Sequence, residues 1–514
     1  MNLFLPYLVL LILITNINSY NILVFCPLFG HSHSTYFGRL ADILTEAGHN
    51  VTLFTPTIVD EFRNYTYSKL TKDVVHLDPS PKLKAIGDLI AGNSRWWNQE
   101  FSMFEIPQSA RFFVSVTQEL HEVLSSNLPL LNELRKKKFD LFVFESIFTS
   151  ALPLIDYLEI PAFVITQSIS FESTTMRSMG EPVMPSHVPD IMTPTSDRMS
   201  LYERFQNTAI QLFQHFHPFS PEFYPSYSDV NKKIYVVETL SEASFIFTNS
   251  NPYLDFPRPI IAKNIHIGGI SVNMEVLRKG KLPEEWVQVL NLRKRRFSLL
   301  LDQVSLASAM KQFPDVTFVW KYEDNDIESF AKGVKNIHFT NWIPQRELLA
   351  DPRLSAFMTH GGLGSVNEVS YLGKPTVICP IMGDQMRNAK MLARHNGSVE
   401  ISKYDLKNPK LVEEIFRKVL YDPSYTISAK RLSEHLEFQP VKPKDLFLKH
   451  AEFAARFGKL PSLDPYSRQM DFVAYFLIDI ISICVTFIVL IYLSLYYFFT
   501  KSVCRLFRSK PKTE

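Results

Sequence analysis

Cysteine is scarce. Cys26, Cys379, Cys484 and Cys504 are the four in 514 residues, spread too widely for a disulfide framework, so stability has to come from packed cores. The first three read as buried thiols and Cys504, beside a basic tail, as a candidate for palmitoylation. Neither sign of charge is in surplus: 54 Lys plus Arg stand against 52 Asp plus Glu. No basic stripe with interleaved aromatics occurs, which argues against a nucleic-acid partner. Glycine is sparse too, 17 in all. Aromatic residues are abundant instead, with 41 Phe and 21 Tyr, pointing to apolar surfaces for packing, ligands or membrane. A chain of this length exceeds one core and predicts two large domains.

Both ends carry targeting information. The apolar run LFLPYLVLLILI (3–14) followed by NINS reads as a signal peptide, residues 1–19, cleaved near Ser19. Near the other end, residues 480–499 hold no charge and lie between Asp479 and Lys501, a stretch long enough to cross a bilayer as a helix over 475–499. Lys501, Arg505, Arg508, Lys510 and Lys512 follow at once. That bias puts the tail, 500–514, in the cytosol and the body in a lumen or outside. The ending KPKTE resembles a dilysine retrieval signal of the endoplasmic reticulum, giving a single-pass type I protein of that membrane. Three sequons, at Asn50, Asn64 and Asn396, suit a lumenal body; Asn50 opens a strand and is the least favourable of them.

Between the ends, short apolar runs alternate with helical patterns. NILVFCP (21–27), NVTLFTP (50–56), FDLFVFE (139–145), PAFVITQ (161–167) and ASFIFTN (243–249) are buried-strand runs. Residues 170–235 break the rhythm with Pro, Met, Phe and Tyr, fitting either an apolar pocket lining or a surface insertion. A second set comes after it: DVTFVWKY, NIHFTNWIP, LSAFMTH, KPTVICP and SVEISK. Strands alternating with helices predict an α/β fold of two doubly wound, Rossmann-like parallel sheets in tandem, with ligands outside the carboxyl ends of the strands.

The stretch THGGLGSVNE (359–368) spends three of the scarce glycines between a strand and a helix. Glycines at 361, 362 and 364 let backbone N–H groups approach a ligand, and the helix presents its positive end to the same spot. That is an anion site, and a diphosphate suits it. The same residues allow a plainer reading, because Ser365 and Glu368 also spell a capping box.

The longer segment FMTHGGLGSVNEVSYLGKPTVICPIMGDQ (357–385) and the upstream NWIPQRELLADPR (341–353) resemble the signature of the UDP-glycosyltransferases, in their membrane-anchored, glucuronosyltransferase-like form. Thr376 stands where that signature usually has an aliphatic residue. The resemblance implies a GT-B arrangement, with an acceptor-binding domain over 20–262, a UDP-sugar-binding domain over 263–440, and a returning helix and juxtamembrane segment over 441–474. It implies that Trp342 stacks on the uracil and Gln345 bonds the nucleoside. His360, the backbone at Gly362 and Gly364 and the Ser365 hydroxyl would hold the diphosphate. Glu368 would take the ribose hydroxyls, and Asp384 and Gln385 the sugar. His33, in the turn PLFGHSHSTYFG, matches the family's catalytic histidine, while His31 is a decoy expected in solvent. Glu145, at the place of the family's usual aspartate, would pair with His33, since parallel strands bring both ends to one edge. The implied activity is inverting transfer of a glucuronosyl or glucosyl group from a UDP-sugar to a small lipophilic acceptor, with no cofactor and no metal. Homo- or hetero-oligomerisation is left open.

One region departs from the family. Between Arg296 and PDVTFVWKY only FSLLLDQVSLASAMKQF (297–313) remains, and the family's Phe-Gly-Ser is absent. A strand, phosphate loop and helix need about 25 residues. The first strand and loop of the second domain, or most of them, are therefore expected to be missing, unless FSLLL (297–301) serves as a substitute strand and leaves little for the helix; this raises an alternative, a catalytically impaired homologue that binds a ligand or partner.

Overall fold

A computed structural model of the chain describes residues 19–92, 102, 105–216, 219–299, 306–322, 327–331 and 333–508; the expected leader before Ser19 lies outside them. The described chain forms two units, one ending at Leu463 and one beginning at Asp464.

The first unit contains two parallel sheets. In the first, the strands are β1 (Asn21–Phe25), β2 (Asn50–Pro56), β3 (Asp73–Leu77), β4 (Leu141–Glu145), β5 (Phe163–Gln167), β6 (Ile246–Thr248) and β7 (Asn264–His266), in the order β3-β2-β1-β4-β5-β6-β7. Continuous apolar runs are needed because helices cover both faces. Leu23, Phe25, Phe142 and Phe144 point into one core, and Ile22, Val24, Leu141 and Val143 into the other. Strand β7 lies just past the anticipated boundary at 262/263 and closes this sheet. Helix α1 (His31–Glu46) follows β1, and α2 (Ile106–Ser125) precedes β4. The order reverses between β1 and β4, which pair directly through Ile22 and Leu141. Such a reversal opens a crevice at the carboxyl ends of the two strands.

The second sheet holds β8 (Arg295–Leu299), β9 (Val316–Lys321), β10 (Ile337–Thr340), β11 (Ala356–Thr359), β12 (Thr376–Ile378) and β13 (Ser398–Glu400), in the order β10-β9-β8-β11-β12-β13. Here the reversal lies between β8 and β11. Strand β8 corrects the expectation of a missing first strand. It sits at the sheet centre, pairing Phe297 with Phe318 on one side and with Ala356 on the other. Its first two residues, Arg295 and Arg296, are basic. Arg295 pairs with Asp315 at 2.8 Å and lies over the Tyr421 ring, while the Arg296 guanidinium donates to the Leu290 carbonyl. Both cations thus reach the edge of the core while Phe297 and Leu299 fill it. The shortening falls on the segment after the strand, where a five-residue helix, Leu306–Met310, stands and 300–305 lie outside the described residues.

Three helices of this domain shape its crevice: α3 (Gln345–Ala350), α4 (Leu363–Tyr371) and α5 (Asp384–Ala393). The chain then returns to the first domain. Helix α6 (Pro443–Phe457) buries Phe447, Ala451 and Ala454 in the same core as Val24 and Phe247. In the second unit, α7 (Ile478–Arg508) carries the apolar stretch Ile478–Arg505, which includes an 18-residue window of mean hydropathy 2.5 and is long enough to span a membrane. Asn50, Asn64 and Asn396 are all exposed.

Candidate active site

The crevice of the first domain is built from the ends of adjacent strands. β1 delivers the chain into α1, whose first turn carries His33; β4 ends on Glu145; Ser168 follows β5. His33 Nδ1 lies 2.8 Å from Glu145 Oε2, with the carboxylate 1 % exposed and the imidazole about a fifth exposed. Burial alone would lower the histidine's pKa. The charge and hydrogen bond of Glu145, with a contribution from Asp384, outweigh it and hold the ring above the ordinary histidine value. Ser168 Oγ stands 2.9 Å from the same ring nitrogen. Phe29 meets the His33 ring edge-on at 5.8 Å, and Phe113 and Phe148 pack around Phe29 at 5.9 and 5.8 Å. One lip is therefore a polarised imidazole beside an aromatic wall. His31 points elsewhere, exposed among Phe62, Tyr65 and Tyr67.

In the second domain, β11 runs into His360 and then α4. Gly361 has φ +88°, open to glycine alone at little cost. At Gly362 a Cβ would lie 2.8 Å from His360 Nε2, whereas at Gly364 it would meet open space. The first two glycines make room for the turn and the ring, and the third leaves the helix N-terminus uncovered. The capping box is not formed: the helix is capped from Gly362, with no side-chain cap. Ser365 and Glu368 instead meet α3. Gln345 Nε2 donates to Ser365 Oγ at 3.1 Å and to Glu368 Oε2 at 2.6 Å, and Arg346 Nε donates to Glu368 Oε1 at 2.7 Å. Trp342 is 61 % exposed beside a groove of ≈ 800 Å³ bordered by Trp286, Leu292 and His338. Its backbone is tied to Thr340 Oγ1.

Asp384 opens α5. Its carboxylate accepts from Asn388 at 2.8 Å, and Asn388 also donates to the Gly361 carbonyl, joining this helix to the glycine turn. Burial raises the Asp384 pKa, while Asn388 and His33 oppose the rise. His33 and Asp384 thus act on each other electrostatically from different domains. Gln385 turns its carbonyl onto the amides of Ile381 and Met382, leaving its NH₂ for other partners. One turn on, Arg387 is fully buried. It pairs with Asp255 at 2.8 Å and donates to Ser170 Oγ and the Pro189 carbonyl, fastening α5 to the first domain. Neither Ser168 nor Arg387 stood out in the sequence. Among the described residues, no group of three His, Cys, Asp or Glu is placed to hold a metal ion.

Residues 22–513 match the family model described as UDP-glucoronosyl and UDP-glucosyl transferase. The chain belongs to that family. Among UDP-glycosyltransferase relatives, UDP-glucuronosyltransferase 1-2 of Mus musculus is 29 % identical, covering 74 % of this chain and 72 % of the mouse protein. UDP-glucuronosyltransferase 2A3 of Homo sapiens is 27 % identical over 88 % and 87 % of the two chains. The structure of Phytolacca americana UGT2 complexed with UDP-2fluoro-glucose and pterostilbene aligns with a TM-score of 0.57, at 15 % identity, over 85 % of this chain and all of that one. Glycosyltransferase VinC in complex with DTDP aligns at 0.53 and 16 % identity over 84 % and 100 %. At such identities the structures establish the shared GT-B fold, and the family match establishes a glycosyltransferase that takes sugar from a UDP-sugar. The alternative of an impaired homologue is not favoured. With the apolar helix α7, the mammalian relatives suggest a membrane-anchored enzyme.

Proposed function

We propose that this UDP-glycosyltransferase moves a glucuronosyl or glucosyl group to the hydroxyl of a small lipophilic acceptor, with inversion and without a metal, in the lumen of the endoplasmic reticulum. The observation that carries the reading is the His33–Glu145 contact of 2.8 Å at the strand reversal, with Asp384 close enough to act on the same ring. Nδ1–H is directed to the carboxylate, so Nε2 is the free base. An acceptor hydroxyl gives its proton to Nε2 as its oxygen attacks the anomeric carbon, and Glu145 stabilises the imidazolium that forms. The aromatic wall of Phe29, Phe113 and Phe148 supplies apolar contact for the acceptor.

The leaving diphosphate draws on the other domain. The N-terminus of α4 and the His360 ring stabilise the charge that grows as the anomeric bond breaks. Glu368 is held by Gln345 and Arg346 in one orientation, ready for two ribose hydroxyls. Trp342 offers its exposed face to the uracil, and Asp384 with the Gln385 amide takes the sugar hydroxyls.

His33→Ala tests the base. Turnover should fall on the order of 10²–10⁴-fold, with the UDP dissociation constant unchanged; wild-type turnover would overturn the assignment. The anomeric configuration of the product, read by NMR, tests inversion.

A further inference from the structure

We propose that Ser168 is a positioning residue for the catalytic pair, locking the Glu145 carboxylate so that one oxygen stays on His33. The inference rests on His33 acting as the base. Glutamate has one more rotatable bond than the aspartate usual at this place, and a strand-end glutamate left to itself would sample several orientations. Here Glu145 Oε1 receives two donors from a single residue: the Ser168 backbone N–H at 3.0 Å and the Ser168 hydroxyl. Both lie on the side away from Oε2, which is thereby left for Nδ1 at 2.8 Å.

These contacts also fix the protons. A hydroxyl has one proton, and Ser168 gives it to Oε1, so its oxygen presents a lone pair to Nδ1 at 2.9 Å. Nδ1 then faces two acceptors and must carry the ring proton. The opposite nitrogen, Nε2, is left unprotonated for the acceptor. Ser168 is itself held from behind: its carbonyl accepts from Asn249 Nδ2 at 2.8 Å, and Asn249 Oδ1 accepts from Asn367 on α4. One buried chain of hydrogen bonds thus runs from the base of one domain to the nucleotide helix of the other.

The test is a double-mutant cycle on the full-length membrane enzyme, with UDP binding confirming an intact fold in each variant. Ser168→Ala should lower kcat about ten-fold, as expected for losing a hydrogen bond to a charged group, with KM for the UDP-sugar changed less than about two-fold. Ser168→Thr, which keeps the hydroxyl, should recover most of the rate. In a Glu145→Ala background, adding Ser168→Ala should cost less than about two-fold further, because the carboxylate it acts through is gone. Fully additive losses, an unchanged kcat in Ser168→Ala, or a loss that appears in KM would overturn the proposal. Should His33→Ala be inactive while Ser168→Ala turns over normally, only the positioning role fails. Should His33→Ala itself turn over normally, the base assignment fails.

Discussion

Replacing Gly362 by alanine separates the binding role of the glycine turn from its folding role. The backbone there has φ −58°, ordinary for alanine, so no torsional strain arises. The new Cβ would stand 2.8 Å from His360 Nε2, closer than non-bonded atoms tolerate, and the ring tip is the part free to move. His360 should swing off the helix N-terminus while the fold persists. Alanine is a poorer helix cap than glycine, so the unfolding midpoint should drop by no more than about 3 °C. UDP binding should suffer much more. Losing one hydrogen bond to a charged oxygen is worth about 1.5–3 kcal/mol, or roughly ten- to hundred-fold in Kd. Gly364→Ala acts differently, since its Cβ meets no protein atom and should leave the fold intact while covering part of the helix N-terminus. The assay is isothermal titration calorimetry of detergent-solubilised full-length protein with UDP. Wild-type affinity in Gly362→Ala would refute the role given to His360.

Two further outcomes are set by the charges. The base must be neutral to act, and its pKa is raised because Glu145, aided by Asp384, outweighs burial. Activity should therefore disappear as pH falls through a value above the ordinary histidine range, and Glu145→Gln should move that acid limb of kcat/KM to lower pH while reducing the rate. Arg387→Met removes one of the two cations from the buried Asp255, leaving Arg258 at 3.0 Å; urea unfolding should show a loss of about 3 kcal/mol, and a loss under about 1 kcal/mol would mean the pair is as weak as a surface one.

Much of this architecture was legible. Parallel strands covered on both faces must be apolar along their whole length, so β1, β4, β5 and β11 stood out as unbroken runs. The glycine turn, and the two strand ends bearing His33 and Glu145, were expected where such sheets gather their ligands. Strand β8 was legible only as the substitute run FSLLL, because two of its five residues are arginines and a serine separates its apolar pair, Phe297 and Leu299. The spacing of Ser365 and Glu368 fits a capping box and a cross-helix cluster equally. What decides between them is that α4 begins at Leu363, which puts Ser365 inside the helix instead of at its cap. Ser168 and Arg387 were invisible for a different reason. A single serine or arginine reads as solvated surface, and their partners Glu145 and Asp255 lie far along the chain.

The return of α6 to the first domain also has a bearing on biosynthesis. Phe447, Ala451 and Ala454 complete a core begun by Ile22 and Val24, so the earliest strand made waits for one of the last helices of the body. Folding that proceeds from the ribosome as the chain emerges can finish the second sheet first, although it is translated later. Until residue 457 has cleared the exit tunnel, the lobe carrying His33 holds an open apolar seam, where chaperones have something to grip.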